Sequence, residues 1–125
     1  MATLAGQAGR TVWDGVYTQA QAARGATLYA QRCAQCHGDL LQGFEAAPAL
    51  AGPLFVATWE GVQLGELADR VRISMPLDSP GSLSRQQTAD LLAYMFEVGK
   101  LPAGSQELPG DAALLGQITF RGTKP

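Results

Sequence analysis

Both cysteines and the only histidine of this 125-residue chain lie within five residues, in the stretch Cys33-Ala-Gln-Cys36-His37. Two thiols at this spacing fit a disulfide, a redox dithiol, part of a zinc site, or the attachment site of a covalently bound haem. A disulfide across so short a loop adds little stability, and a redox dithiol is expected after a strand of a parallel sheet. A structural zinc site needs four ligands, whereas cysteine and histidine together supply three in the whole chain.

The haem interpretation uses every residue of the cluster. In Cys-x-x-Cys-His the two thiols add to the two vinyl groups of haem, and the adjacent histidine reaches the iron through Nε2. A helix is predicted to run into Cys33, and residues three apart lie on one side of a helical turn. We therefore predict one haem c, bound covalently through Cys33 and Cys36 and ligated by His37. A disulfide and a redox dithiol remain as alternatives.

Met75 is the predicted second axial ligand. The chain has no second histidine, and its methionines are Met1, Met75 and Met95. Met95 lies in an apolar helical segment and is expected in the core, whereas Met75 precedes Pro76, which disfavours helical geometry and places it in a loop. A thioether raises the reduction potential of the iron, and two protein ligands leave no open coordination site. That combination is typical of an electron carrier rather than an enzyme.

The rest of the pattern predicts an all-α chain. Apolar periodicity, together with residues that favour the starts and ends of helices, predicts four helices joined by long loops. The predicted helices cover residues 18–33, 53–61, 62–73 and 84–99. Capping boxes are predicted at Thr18 with Gln21 and at Ser84 with Gln87. No alternation is long enough to predict a sheet. We divide the chain into an N-terminal arm (1–17), a haem domain (18–99) and a C-terminal extension (100–125) that packs on the domain and frays after Phe120.

Composition excludes several other classes. Apolar residues make up 46% of the chain and charged residues 16%, as in a globular protein. The net charge is −2, and the nine basic residues form no run, so nucleic acid is not an expected partner. No apolar stretch approaches the roughly 20 residues that span a bilayer.

Residues around the motif resemble class I c-type cytochromes, a family of small monohaem proteins. Gly25 and Tyr29 precede the first cysteine at the spacing of that family, and Leu91 with Tyr94 matches the helix that crosses there. The resemblance implies a compact class I cytochrome c fold wrapped around one covalently bound haem. It also assigns residues around the haem: the Pro48 carbonyl accepts the Nδ1 proton of His37, Leu50 packs on the haem, Trp59 lies near the propionates and Arg72 pairs with one. Leu40, Leu41 and Phe44 would surround the exposed haem edge.

The same resemblance implies a function and a location. The flanking segments are similar to those of cytochromes that work with bacterial periplasmic dehydrogenases, including quinoprotein enzymes. The chain is then expected to be a monomeric electron carrier, passing single electrons from such a dehydrogenase to a terminal oxidase or another cytochrome. Haem c is attached outside the cytoplasm, so a periplasmic protein is expected, with its export signal absent from this sequence. The alternative is a gas-ligand sensor or haem enzyme in which the bond to Met75 is labile.

Overall fold

A computed structural model describes residues 9–125, so residues 1–8 of the predicted N-terminal arm lie outside the described range. Within it, the helices are α1 Gln19–Arg32, α2 Ala34–His37, α3 Pro53–Trp59, α4 Leu64–Ser74, α5 Arg85–Val98 and α6 Ala112–Leu115. The strands are β1 Arg10–Thr11 and β2 Ile118–Thr119. The prediction of a mainly helical chain is confirmed, and α1, α3, α4 and α5 correspond to the four predicted helices.

Local signals explain most of the helix ends. The amide of Ser84 donates to Oε1 of Gln87 at 2.9 Å, and the amide of Gln87 donates to Oγ of Ser84 at 3.0 Å, which completes the predicted capping box. At the other predicted box, Oγ1 of Thr18 accepts from the Gln21 amide at 3.1 Å. The buried side chain of Gln21 does not return this bond, because it pairs with both backbone groups of Leu108. The Thr18 box therefore has only the bond from the Gln21 amide, because the Gln21 side chain binds the C-terminal segment instead.

Helices α1 and α5 form the most extensive helix pair, and Gly25 lies where they cross. A Cβ atom at Gly25 would overlap the carbonyl oxygen of Asp90 on α5. The rings of Tyr29 and Tyr94 meet at the same crossing with their centroids 5.5 Å apart. The glycine therefore lets two helix backbones touch, as expected from its position before the motif.

The two ends of the described chain meet on one side of the helices. β1 and β2 pair in parallel, with Arg10 opposite Ile118, and Thr119 forms an additional bridge to Gln63. The strand pair was not predicted, because each strand has only two residues and so shows no alternation of apolar and polar residues in the sequence. The hydroxyl of Tyr17 donates to the Leu101 carbonyl at 2.6 Å, which connects the arm to the C-terminal segment. The division into arm, domain and extension stays a prediction.

The C-terminal segment contributes to the core through five buried side chains: Leu101, Leu108, Leu115, Ile118 and Phe120. Beyond them, the Arg121 carbonyl accepts from Nε1 of Trp13 at 2.9 Å, and the Gly122 amide donates to Glu60 at 2.7 Å. No helix within residues 9–125 is long and apolar enough to cross a membrane.

Candidate functional site: the Cys-x-x-Cys-His turn and the methionine loop

The cluster of two cysteines and one histidine forms a single helical turn at the end of α1. Cys33 is both the C-cap of α1 and the N-cap of α2. Its carbonyl accepts hydrogen bonds from the amides of Cys36 (3.2 Å) and His37 (3.0 Å). Cys36 is exposed and Cys33 is partly buried, and both thiols are free. The two thiols therefore lie three residues apart, one on the N-cap of this short helix and one within it.

Burial raises the pKa of the Cys33 thiol to about 11, so this thiol keeps its proton at neutral pH. A redox dithiol works through a cysteine whose pKa is lowered, because the thiolate is the nucleophile. The environment of Cys33 has the opposite effect. The burial of Cys33 therefore disfavours the dithiol alternative.

The imidazole of His37 is buried and is oriented by a backbone carbonyl. Its Nδ1 lies 2.7 Å from the carbonyl oxygen of Pro48. A carbonyl can only accept, so Nδ1 carries the proton, and Nε2 of the neutral ring keeps a free lone pair. Ligand histidines in metal proteins are held in the same way, by a partner on the nitrogen that does not bind the metal. The contact that the resemblance implied is thus present.

The loop between α2 and α3 brings Pro48 to the histidine. The amide of Gly43 donates to the His37 carbonyl at 2.8 Å, and the amide of Leu50 donates to the Leu41 carbonyl at 2.8 Å. Gly43 has a φ of +83°, and a Cβ atom there would lie 3.0 Å from the carbonyl carbon of Pro48. The loop can fold back on itself because this position has no side chain.

Of the apolar residues expected around the haem, Leu50 is partly buried against the core. Leu40 and Phe44 are exposed, by 76% and 64%. Leu41 is fully buried and has a φ of +60°. Leu41 is therefore a core residue that anchors the loop, and it is not exposed with Leu40 and Phe44 as expected for the haem edge.

Met75 caps the C-terminus of α4 in an extended conformation, with φ −116° and ψ 154°. Its side chain is partly buried, and the following Pro76 is buried. Met95, in contrast, is a core residue of α5 and contributes with Phe55 and Phe120 to a cavity of about 260 Å³. The two methionines therefore lie in the loop and core environments expected for them.

The structure separates Arg72 from Trp59. The guanidinium carbon of Arg70 lies 5.7 Å from the centre of a Trp59 ring. Arg72 instead forms an ion pair with Asp69 at 3.8 Å. Residues two apart on an α-helix point in nearly opposite directions, since each residue turns the helix by about 100°. Arg70 is the arginine that accompanies Trp59, and the sequence reasoning did not single it out.

The residues present fit a covalently held haem. Two free thiols occupy one turn, an imidazole nitrogen is free to bind, and a thioether lies at a loop after α4. Within residues 9–125, no three His, Cys, Asp or Glu side chains are grouped so as to hold a metal ion. These residues therefore offer no ligand set for a structural zinc ion.

Comparisons with known proteins place the chain among c-type cytochromes. Residues 20–95 match the family described as cytochrome c oxidase, cbb3-type, subunit III. Thiosulfate dehydrogenase of Stutzerimonas stutzeri is 33% identical over 102 residues, which cover 74% of this chain and 30% of that protein. The crystal structure of the sulfane dehydrogenase SoxCD from Paracoccus pantotrophus superimposes with a TM-score of 0.58 and 25% identity. That match covers 86% of this chain and 61% of the SoxCD chain, so this chain spans only part of both relatives.

Proposed function

Since the chain belongs to the family described as cytochrome c oxidase, cbb3-type, subunit III, we propose that it carries single electrons on one haem c held by four of its residues. These are Cys33, Cys36, His37 and Met75. Family membership implies haem c and a general role in electron transfer, and it identifies the chain as a c-type cytochrome. The ligand pair, the single haem and the route of the electrons are the proposal.

Each residue has a distinct task in this assignment. Cys33 and Cys36 would each hold the haem by adding a thiol across one vinyl group, with an S–C bond formed and the thiol proton transferred to the neighbouring carbon. His37 would bind through Nε2, and Met75 would bind through its sulfur. A haem bound there supplies an iron that alternates between Fe(II) and Fe(III). Because a neutral thioether favours the reduced state, Met75 raises the reduction potential.

The observation that supports the proposal most strongly is the 2.7 Å contact between Nδ1 of His37 and the Pro48 carbonyl. It fixes the ring and leaves Nε2 as the ligand nitrogen. If both His37 and Met75 bound the iron, no coordination site would be left for a substrate. The chain therefore acts as an electron carrier, on its own or as part of a dehydrogenase, and does not itself carry out catalysis.

The proposed electron donor is a dehydrogenase outside the cytoplasm. The relatives are named as a thiosulfate dehydrogenase and a sulfane dehydrogenase, which favours an enzyme that oxidises inorganic sulfur compounds. The quinoprotein dehydrogenase stays a prediction, as do the terminal oxidase or cytochrome that receives the electron and the monomeric state. Periplasmic localisation is tested by releasing the periplasm of cells that express the natural gene and measuring covalent haem in that fraction.

The test of the ligand pair is the far-red absorption of the oxidised holoprotein. We expect a weak sulfur-to-iron charge-transfer band in the parent, its loss in Met75→Ala and its retention in Met95→Leu. Met95→Leu is the matched control, because it removes the other thioether while keeping a core side chain of similar volume. Both cysteines should stay attached to haem after extraction with acidified acetone.

Other outcomes contradict the proposal in separable ways. A band that survives in Met75→Ala and disappears in Met95→Leu would assign the ligand to Met95. No band in the parent, together with carbon monoxide binding to the reduced protein, would favour the sensor or haem-enzyme alternative. Haem that extracts freely would overturn the covalent attachment.

A further inference from the structure

The segment between α4 and α5, residues 75–83, is called the methionine loop below. It begins with Met75 at the cap of α4 and ends directly before the N-terminal cap of α5. Two consecutive turns shape it: the Ser79 amide donates to the Pro76 carbonyl at 2.9 Å, and the Ser82 amide donates to the Ser79 carbonyl at 3.2 Å. Backbone hydrogen bonds therefore connect Ser82 back to the residue that follows Met75.

A side-chain hydrogen bond joins this loop, whose last residue Leu83 is buried in the core, to the part of the chain that carries Cys33 and His37. Arg32, the last residue of α1, donates from Nη2 to Oγ of Ser82 at 2.7 Å. Among residues 9–125, this is the one hydrogen bond between the methionine loop and residues 19–52, the part of the chain that contains Cys33 and His37. Arg32 is partly buried and Ser82 is exposed, so the bond can form and break without unfolding the core.

We propose that Arg32 is a positioning residue, which holds Met75 against the iron by fastening the methionine loop through Ser82. The inference rests on the proposed His37 and Met75 ligation. Arg32 directly precedes Cys33, so one end of the contact moves with the turn that carries the histidine. The other end moves with Met75, because the two turns of the loop transmit the position of Ser82 to Pro76.

The physical consequence concerns how often the sulfur leaves the iron. When the loop is fastened, the state without the Met75 bond is rare, and an external ligand finds few molecules that can bind it. The apparent dissociation constant equals the intrinsic one divided by the fraction in the competent state. Loosening the loop raises that fraction and makes external ligands bind more tightly. The rest of the protein keeps its fold.

The experiment measures imidazole binding to the oxidised holoprotein at pH 7, followed by loss of the far-red band. Arg32→Gln and Ser82→Ala should each bind imidazole about two- to fivefold more tightly than the parent, the range expected for one partly exposed charge-assisted bond. Because both act on one contact, the double variant should show little further change. Ser82→Ala leaves the charge unchanged, and Arg32→Lys, which keeps charge and a donor, should restore affinity toward that of the parent.

Arg24→Gln is the matched control. Arg24 lies on the same helix and is also hydrogen-bonded, but its partners are Asp90 and Glu107. This variant should lower the thermal unfolding temperature and leave the affinity for imidazole unchanged. A parent without the far-red band would contradict the proposed ligation itself. A parent with the band, and variants that bind imidazole as weakly as the parent, would overturn the role of Arg32 alone.

Discussion

Gly25 on α1 and Asp90 on α5 are in backbone contact, and a Cβ atom at Gly25 would overlap the Asp90 carbonyl oxygen. We expect Gly25→Ala to force the two helices apart and to lower the free energy of unfolding by about 1–3 kcal/mol, as overpacked core sites do. Urea unfolding of the holoprotein measures this.

Gly65→Ala on α4 is the control for that change. A Cβ atom at Gly65 would lie 3.5 Å from its nearest neighbour, an ordinary contact. Alanine is the better helix former by up to about 1 kcal/mol, so this variant should be neutral or more stable. Equal unfolding midpoints for Gly25→Ala and the parent would show that the helices do not touch at this position.

The second prediction concerns Glu107, whose carboxylate accepts from Arg24 at 2.6 Å. This bond holds the pKa of Glu107 below its usual value of 4.5 in the folded protein. A carboxylate whose pKa is lower in the folded than in the unfolded protein stabilises the fold at pH values above its unfolded pKa. This stabilisation is lost as the pH falls through its folded pKa. Glu107→Gln should therefore unfold at lower urea than the parent at pH 7, with a difference that begins to shrink near the unfolded pKa of about 4.5 and is lost once the pH has fallen through the lower folded pKa.

The control for this pH dependence is Glu97→Gln. Glu97 is exposed on α5, and its side chain is not among the hydrogen-bonded groups of residues 9–125. Its replacement removes the same charge and should leave the urea midpoint nearly unchanged at either pH. A difference between Glu107→Gln and the parent that stays the same size at every pH at which the protein is folded would exclude the ionised carboxylate as its source.

The third prediction concerns Gly43, which lets the loop after α2 fold against Pro48. In Gly43→Ala, the new Cβ would lie 2.8 Å from the Ala49 amide nitrogen, 2.9 Å from the Ala47 carbonyl oxygen and 3.0 Å from the Pro48 carbonyl carbon, so we expect this stretch to shift away. The His37 ring would then lose its acceptor and become a weaker donor to iron. A weaker donor stabilises Fe(III) less. We expect the reduction potential to rise by about 40 mV, the equivalent of one hydrogen bond of about 1 kcal/mol.

A redox titration measures that change, and Gly52→Ala is its control. Gly52 also has a positive φ, of +89°, but nothing lies within 4 Å of a Cβ atom placed there. Gly52→Ala places alanine at a positive φ, as Gly43→Ala does, but makes no contact with Pro48. The reduction potential of Gly52→Ala should therefore match that of the parent. Equal shifts in both variants would mean that loop strain, rather than the Pro48 contact, sets the potential.

The fourth prediction concerns the last residues, which we expected to fray after Phe120. A chain that ends at Phe120 loses the Arg121 carbonyl that accepts from Trp13 and the Gly122 amide that donates to Glu60. We expect it to be less stable by on the order of 1–2 kcal/mol. Thermal unfolding measures this, with a chain ending at Gly122 as the control. Identical melting of the parent and the shorter chain would support fraying.

Features that depend on neighbours in the chain could be predicted from the sequence. The reciprocal cap of α5 needs only Ser84 and Gln87, and the extended Met75 needs only the following proline. The contact between His37 and Pro48 was expected from the family resemblance rather than from the residues themselves. The haem ligands, and the roles of Leu50, Trp59 and Arg72 toward haem, remain proposals.

Features that depend on distant segments were decided by the tertiary structure. Gln21 matched a capping box, yet it bonds to Leu108, because a buried amide side chain must satisfy both its donor and its acceptor. Likewise, the choice of Arg70 over Arg72 beside Trp59 depends on the rotation of α4, which packing sets.

By itself, the sequence determined the haem-binding motif, the helical class and most helix ends, since these follow from spacing and backbone sterics over a few residues. Only the tertiary structure decided that Arg32 reaches Ser82, 50 positions later, and that β1 pairs with β2. Such contacts depend on how loops and helices are oriented relative to one another. That orientation is a property of the whole packed core, and no local pattern encodes it.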